Sequence, residues 1–296
     1  SLWVREYFGR FYLWLGLLCV FFLIFIAFSR FGKIRLGNSP PEFDRLSWIA
    51  MLYSAGMGAG ILLRAVQEPV FMFLNSPIET SSSSQVIALE YTFYQWGFTA
   101  WAFYGIFALL IAYALFVRKS DILLGSSLPQ LKTINYLPQG INLLTILTTV
   151  FGLVAAIGLG TAQIEGGISH LTSTPAGTLS ITILLVFIVC LLAFISAFAG
   201  IKKGIKRISN WNIYVTVILM FLVFFQVDIL NVFSQFFESF YSYIIDFVPL
   251  SLALGKYNPG KEFLTDWTYY YWAFWLAWAP FTGIFIARIS KGRSIR

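Results

Sequence analysis

The stretch from Asp266 to Phe281 reads DWTYYYWAFWLAWAPF, and beyond Asp266 it contains no charged residue. From Trp267 onward it lies within an apolar segment, 267–288, that is long enough to cross a bilayer as a helix, which takes roughly 20 residues. The whole chain has this character, since 58% of its 296 residues are hydrophobic and only 11% are charged. A soluble domain has about 25% charged residues. The sequence therefore predicts an integral membrane protein.

Six further segments are long and apolar enough to span the membrane, which makes seven predicted spans. Helices are expected because hydrocarbon offers no partners to the backbone, and no stretch shows the alternating polarity of a β-barrel strand. The expected fold class is all-α. The predicted spans lie near 11–29, 47–73, 86–117, 140–169, 178–200, 211–227 and 267–288.

Basic residues are distributed unevenly among the loops that connect the predicted spans and the segments that flank them. Most of the 20 Lys and Arg residues follow the first, third, fifth and seventh predicted spans. Short basic loops face the cytoplasm, so this pattern places the amino end outside. The same rule explains the net charge of +7, and no nucleic-acid partner is expected.

Apolar residues near 229–247 recur with a helical period, which predicts an amphipathic helix at the outer interface.

The sequence offers little chemistry for an enzyme. Its single histidine, His170, has no second histidine or cysteine cluster beside it that would complete a metal site. Glycine-rich phosphate loops in a strand-then-helix context are absent as well. We therefore expect neither enzymatic activity nor an organic cofactor.

Three glycines alternate in the second predicted span, Gly56, Gly58 and Gly60. Each weakens a helix by roughly 1 kcal/mol in water, and secondary transporters bind substrate and ions at interrupted helices. Close helix packing through small residues is the alternative. Arg64 and Glu68 share a face of the same segment, either as a mutual ion pair or as part of a substrate passage.

Aromatic residues form a face on each of two predicted spans. Such faces suit a quaternary ammonium ion, which cannot donate a hydrogen bond and is held by cation–π attraction of up to about 2 kcal/mol per desolvated ring. Core packing is the alternative explanation. The residues are Trp96, Trp101 and Tyr104 on the third span and Trp267, Tyr271, Trp275 and Trp278 on the seventh.

The tryptophan-rich stretch from Asp266 to Phe281 resembles the signature of the betaine/choline/carnitine transporter family, and ARISKGRSIR after it resembles that family's cytoplasmic continuation. GMGAG with the Glu68-Pro69 pair is similar to the family's glycine-broken helix, and FSRFGKIRLG is similar to its preceding loop. The resemblance covers essentially the whole chain. It implies a twelve-helix, inverted-repeat fold of the LeuT type, of which these seven helices would be the second to the eighth. We therefore expect the chain to be a fragment of a longer transporter.

The resemblance also implies a substrate site. An aromatic box would hold the trimethylammonium group, and two further tryptophans would flank the permeation path. The box residues are Trp96, Trp101, Tyr104 and Trp275, and the flanking residues are Trp272 and Trp278. Three positions depart from the residues usual in the family, namely Arg64, Gln95 and Phe274.

Sodium is the coupling ion that the resemblance implies. One ion would lie near Ser54 and Met57, and some members place a second near positions matching Thr149, Leu153 and Phe281. Hard cations need oxygen ligands, which the side chain of Leu153 does not supply. One sodium ion, a proton, or antiport of a related substrate therefore remain as alternatives.

These observations predict a secondary active transporter of betaine, choline or carnitine that works by alternating access. We expect it to be a multi-pass protein of a bacterial inner membrane, with a role in osmotic protection or nutrient uptake. Its partners would be the lipid bilayer and, by the family resemblance, further copies in a homotrimer. The alternative is a non-transporting remnant or binding subunit that retains the aromatic site.

Overall fold

Helices make up the regular secondary structure of the part of the chain that the structure describes. A computed structural model describes the backbone of residues 2–56, 59–127, 136–173, 177 and 179–296. Within those ranges the elements are helical, apart from one isolated β-bridge between Arg35 and Ser294. The α-helices are α1 (Leu2–Phe28), α2 (Arg45–Gly56), α3 (Ala59–Leu74), α4 (Ser84–Trp96), α5 (Phe98–Ala112), α6 (Leu137–Thr172), α7 (Leu179–Phe198), α8 (Lys206–Phe224), α9 (Ile229–Ile245), α10 (Phe247–Ser251), α11 (Lys261–Phe263) and α12 (Tyr269–Ile289).

Six described helical stretches are long and apolar enough to cross a membrane. α7 is the clearest example, because none of its residues is buried and its leucine, isoleucine and phenylalanine side chains face outward. A continuous apolar surface of this kind is typical of contact with lipid rather than with water. The predicted all-α membrane class is therefore confirmed. The stretches are Trp3–Phe28, Ser84–Val117, Leu137–Thr172, Leu179–Phe198, Ile201–Phe224 and Lys261–Ile289.

The span predicted at 47–73 is not among these six. The structure has α2 and α3 in this region, with 12 and 16 residues. Met57 and Gly58, which lie between them in sequence, are outside the described residues. Neither helix alone reaches the roughly 20 residues that a span takes. The count of seven spans and the interruption of this helix at its glycines therefore stay predictions.

The chain divides into two compact units. The first comprises residues 1–42, 66–146 and 226–296, and the second comprises 43–65 and 147–225. All four residues of the predicted aromatic box belong to the first unit.

In the first unit, α5 and α12 pack along each other, and α1 packs against both. Gly283 makes the contact between α5 and α12 close, since a Cβ on this residue would lie 2.7 Å from Cβ of Phe107 and 3.0 Å from the backbone nitrogen of Ala108. Small residues allow such close approach between helices in lipid. Because α5 carries Trp101 and Tyr104 and α12 carries Trp275, this contact determines how near those rings lie.

We expect Gly283→Ala to lower the thermal midpoint of the protein, although alanine is the better helix former by about 1 kcal/mol. The added methyl group has no room against α5, and overpacking of this kind typically costs about 1–3 kcal/mol. Gly158→Ala on α6 is the matched control, because nothing lies within 4 Å of a Cβ on that glycine. It should leave the midpoint unchanged or raise it. Equal midpoints for the two variants would contradict the role assigned to Gly283.

The span predicted at 86–117 consists of two α-helices and a final π-helical turn, Tyr113–Val117. α4 ends at Trp96, Gly97 leaves helical geometry with φ −94° and ψ −128°, and α5 begins at Phe98. The sequence did not indicate this break, because a single glycine in an apolar run is common within membrane helices.

The amphipathic helix predicted at 229–247 corresponds to α9, which ends at Ile245. Asp228 caps its start by accepting two backbone N–H groups of the first turn. Ser239 and Tyr243 are buried on the face that packs against α4, while Tyr241 on another face is exposed. The position of this helix at the membrane interface stays a prediction.

Backbone pairing anchors the carboxyl end of α12. The N–H of Leu36 donates to the carbonyl of Arg293 at 2.8 Å, and the N–H of Gly292 donates to the carbonyl of Leu36 at 2.7 Å. Arg288 adds an ion pair to Glu42, with 2.9 Å between nitrogen and oxygen. The segment after α1 therefore fixes the end of the helix that carries Trp275.

In the second unit, polar side chains join α8 to α2 and to the residue before it. Interhelical hydrogen bonds help to hold helices together in lipid, where apolar surface alone provides no driving force. The pairs are Lys206 with Asp44 at 2.9 Å, Asn210 with Ser47 at 3.1 Å and Asn212 with Ser54 at 3.2 Å.

A buried carboxylate joins α6 to the first turn of α7 and to Gly177 just before that helix. Glu165 accepts the backbone N–H of Gly177 at 2.8 Å and the hydroxyl of Thr182 at 2.9 Å. His170 lies in the last turn of α6 and is exposed.

We expect the stability of the second unit to fall in acid through Asp44. The hydrogen bond from Lys206, together with that from the backbone N–H of Ser47, holds the pKa of the Asp44 carboxyl well below its ordinary value. A lowered pKa in the folded state stabilises the protein above the ordinary pKa, near 3.8, and this contribution is lost as the pH falls toward the folded-state pKa. The difference in thermal midpoint between wild type and Asp44→Asn should therefore shrink as the pH is lowered from 6 to about 3. A difference that stays constant with pH would contradict this assignment.

Candidate functional site

Three helices bring the predicted aromatic residues together in the first unit. Trp96 is the last residue of α4, Trp101 and Tyr104 lie in the first two turns of α5, and Trp275 lies on α12. The break at Gly97 therefore separates Trp96 from the two aromatic residues that follow it along the chain.

Trp275 lies at the centre of the cluster that these residues form. Its ring centroid is 5.1 Å from that of Trp96, with 78° between the planes, and 5.7 Å from that of Tyr104, with 89° between the planes. Trp101 contacts Tyr104 at 6.0 Å and 86°. These are edge-to-face contacts, which aromatic rings prefer to a face-to-face sandwich. We call these four residues the Trp275 cluster.

Hydrogen bonds hold two of the indole rings in place. Nε1 of Trp275 donates to the backbone oxygen of Gln95 at 3.0 Å, and Nε1 of Trp96 donates to Oε2 of Glu68 at 2.7 Å. Both N–H groups are therefore bonded to the protein. What these two tryptophans offer to a ligand is the face of the ring, where the negative end of the aromatic quadrupole lies.

The cluster is largely shielded from solvent. Trp275 and Tyr104 are each 3% exposed, Glu68 is 1% exposed, and Trp96 and Trp101 are half-buried. Low exposure strengthens the attraction of a ring face for a cation, because little water competes with it. The chemistry that this arrangement favours is non-covalent binding of a cation that makes no hydrogen bonds.

Two further aromatic residues of α12 contact the cluster. Tyr271 lies 5.8 Å from Trp96 and 6.2 Å from Trp275, and Phe274 lies 5.1 Å from Trp275, all between ring centroids. Tyr271 is part of the aromatic stripe that the sequence shows, but the predicted box did not include it. Neither the acceptor role of Glu68 nor that of the Gln95 carbonyl has a signal in the sequence.

Trp272 and Trp278 lie apart from the four central rings. Trp272 is 1% exposed and packs against Tyr94 and Phe103 at centroid distances of 5.1 and 6.1 Å, so it is part of the hydrophobic core. Trp278 is half-buried and contacts Phe274 at 6.3 Å and Phe281 at 5.9 Å. A place beside a permeation path stays a prediction for both tryptophans.

The predicted ion ligands are distributed over both units. Ser54 lies on α2 with its hydroxyl accepting a hydrogen bond from Asn212, whereas Met57 is outside the described residues. Thr149 lies on α6 in the second unit, and Phe281 lies on α12 in the first. Both sodium sites stay predictions.

The three predicted glycines lie at or near Met57 and Gly58, the two residues between α2 and α3 that the structure does not describe. Gly56 is the buried last residue of α2, and Gly60 is the second residue of α3. Gly58 lies outside the described residues. Arg64 and Glu68 both belong to α3.

The chain is similar in sequence to known membrane transporters. The model of the betaine/carnitine/choline transporter family matches residues 1–296. The chain is 38% identical to the glycine betaine transporter OpuD of Bacillus subtilis over 302 residues, which cover 99% of this chain and 59% of that protein. It is 34% identical to an ectoine/hydroxyectoine transporter of Virgibacillus pantothenticus, covering 98% of this chain and 59% of the relative.

A third relative is the high-affinity choline transport protein of Escherichia coli, which is 31% identical over 99% of this chain and 44% of its own length. The chain therefore spans about half the length of the curated relatives that it matches.

Proposed function

The chain belongs to the betaine/carnitine/choline transporter family, and from this premise we propose that it carries small quaternary ammonium compounds, namely betaine, choline or carnitine, across the bacterial cell membrane. The observation that carries the proposal is the Trp275 cluster, in which four aromatic rings from three helices meet in a shielded part of the first unit. The proposal involves no enzymatic reaction.

Binding would depend on the ring faces. A trimethylammonium group has no N–H to donate, so a site lined by hydrogen-bond acceptors gives it little, whereas each desolvated aromatic face contributes up to about 2 kcal/mol. The rings of Trp96 and Trp275 are in direct contact, so the cation would sit on the faces that they leave open. The Glu68 carboxylate, bonded to Trp96, adds a negative charge at the edge of the cluster. That charge favours a cation over a neutral molecule of the same shape.

Transport would proceed by alternating access in a twelve-helix, inverted-repeat fold of the LeuT type, to which this chain contributes seven helices. Such a mechanism needs two bodies, each of which moves as a unit around a site near the bilayer midplane. Membership of the betaine/carnitine/choline transporter family supports this proposal. We also propose a homotrimer, which the mass of the purified protein in detergent would test.

We further propose sodium as the coupling ion, with the hydroxyl of Ser54 among its ligands. Replacing sodium by potassium should weaken binding of choline and betaine several-fold, and Ser54→Ala should remove that difference between the two ions. Ser47→Ala is the matched control, because Ser47 also accepts a hydrogen bond from an asparagine of α8. Equal affinity in the two salts for the wild type would favour proton coupling or exchange.

Titration of tryptophan fluorescence tests the proposed substrate class. The protein encoded by the complete reading frame, purified in detergent, would be titrated with choline, betaine, carnitine and tetramethylammonium. 3,3-Dimethylbutanol, which has the shape of choline without its charge, serves as the control ligand. We expect saturable changes with the charged ligands and binding at least tenfold weaker with the neutral one. Equal binding of choline and its neutral counterpart, or no saturation with any ligand, would contradict the proposal.

A further inference from the structure

The break between α4 and α5 is held by a residue from a distant part of the chain. The first N–H groups of a helix have no partner within that helix. At the start of α5, the backbone N–H of Phe98 donates to the hydroxyl oxygen of Tyr243 on α9, at a distance of 2.8 Å. The bond joins residues 145 positions apart in the sequence. Tyr243 therefore caps α5 from outside the span.

Gly97 is what allows the tyrosine to reach the backbone. A Cβ on this residue would clash with the carbonyl oxygen of Phe93 and would lie 2.8 Å from the hydroxyl oxygen of Tyr243. The Cβ of any other residue would therefore be too close to both oxygens. The carbonyl of Gly97 in turn accepts the N–H of Trp101 at 3.1 Å, within the first turn of α5.

The ring of Tyr243 is fixed by its surroundings. The residue is 2% exposed, and its ring stacks on that of Phe98 with centroids 5.1 Å apart and 30° between the planes. Phe93 on α4 and Phe247 on α10 contact it from other sides, at 6.2 and 5.7 Å. Tyr243 thus contacts α4 before the break and α5 after it.

The angle between α4 and α5 matters because the break divides the Trp275 cluster. Trp96 lies immediately before Gly97, whereas Trp101 and Tyr104 lie after it. Trp275 contacts rings on both sides, Trp96 at 5.1 Å and Tyr104 at 5.7 Å. A change in the angle between α4 and α5 would separate one of these rings from Trp275.

We propose that Tyr243 is a positioning residue for the quaternary ammonium site. It contributes no ring to the cluster, and its hydroxyl fixes the junction that places Trp96 and Tyr104 on either side of Trp275. This inference rests on the proposed function. It makes ligand affinity depend on α9, a helix whose other surface is exposed.

Tyr243→Phe tests the proposal, because it removes the hydroxyl and keeps the ring that packs on Phe98. We expect the Kd for tetramethylammonium and choline to rise about tenfold, the size expected for one lost buried hydrogen bond. Tyr241→Phe is the matched control, since this exposed tyrosine lies two residues away on the same helix. It should leave the Kd unchanged.

Two measurements separate a positioning role of Tyr243 from general support of the fold. They are the thermal midpoint without ligand and the effect of Tyr243→Phe on the Kd in a Trp96→Phe background. A positioning role predicts that the Kd rises in Tyr243→Phe, whereas adding Tyr243→Phe to a Trp96→Phe background changes it little, because one ring face is already altered. Equal Kd values for Tyr243→Phe and wild type would overturn the inference and leave the proposed function intact. Equal effects of Tyr243→Phe on the Kd in the wild-type and Trp96→Phe backgrounds, together with a lowered thermal midpoint, would also overturn the inference and leave the proposed function intact. Absence of saturable binding in the wild type would overturn both.

Discussion

Trp275→Ala is expected to raise the Kd for choline and glycine betaine at least about 30-fold. One desolvated ring contributes up to about 2 kcal/mol to holding a quaternary ammonium ion, and 1.4 kcal/mol corresponds to a factor of about ten. The loss should exceed that of one ring, because Trp275 also contacts Trp96 and Tyr104 and holds them in place. The measurement is a binding titration in detergent, with tetramethylammonium included to isolate the cationic group.

Trp272→Ala is the matched control for this experiment. It removes a tryptophan of similar burial from the same helix, but one that packs against Tyr94 and Phe103 outside the Trp275 cluster. Both variants should lower the thermal midpoint, since truncating a buried aromatic residue costs about 3–5 kcal/mol. Only Trp275→Ala should weaken binding strongly. Similar affinities for the two variants would mean that the cluster is core packing rather than a binding site.

Glu68→Ala is expected to raise the Kd between about 10-fold and 100-fold. The carboxylate accepts the indole N–H of Trp96 at 2.7 Å, and hydrogen bonds to charged groups contribute about 1.5–3 kcal/mol. Without its acceptor, the Trp96 ring is free to leave its position against Trp275. Glu68→Gln keeps an acceptor oxygen without the charge, so its Kd should lie between those of Glu68→Ala and wild type. Glu238→Ala, at an exposed position on α9, is the control.

A double-mutant cycle distinguishes the two ways in which Glu68 can act. If the carboxylate acts by orienting Trp96, Glu68→Ala should have little further effect in a Trp96→Phe background. If it acts directly by its charge on the bound cation, the two changes should be additive. An unchanged Kd for Glu68→Ala in the wild-type background would exclude both roles.

The sequence was sufficient to predict the structural class and the family of the protein. The apolar runs and the scarcity of charge predicted an all-α membrane protein, and the Asp266–Phe281 stretch with the glycine motif identified the family; both predictions are confirmed. These features are local, because hydrophobicity and motif spacing can be read within one segment. The sidedness that follows from the basic loops, the count of seven spans and the ion sites stay predictions.

The candidate site could be predicted only in part. The resemblance placed Trp275 in the box and Trp272 beside the permeation path, and the four box rings do lie in contact, but nothing in the sequence indicated which residues each tryptophan packs against. The two differ by three positions on one helix and both are buried in the same core, where Trp272 packs against Tyr94 and Phe103 and Trp275 packs against Trp96 and Tyr104. The neighbouring helices determine which face of a helix is buried and which residues it packs against. The helical period of its own sequence does not determine this.

The sequence by itself determined that this chain is helical, lies in a membrane and belongs to its transporter family, because composition and local motifs carry that information. Only the tertiary structure decided that the third predicted span breaks at Gly97, that Tyr243 caps the second half of that span and that Glu68 accepts the Trp96 indole. The two hydrogen bonds, from Phe98 to Tyr243 and from Trp96 to Glu68, join residues that are far apart in the sequence. The physical reason is that a hydrogen bond or a ring contact requires a partner within a few ångströms, and the partner is set by the packing of helices.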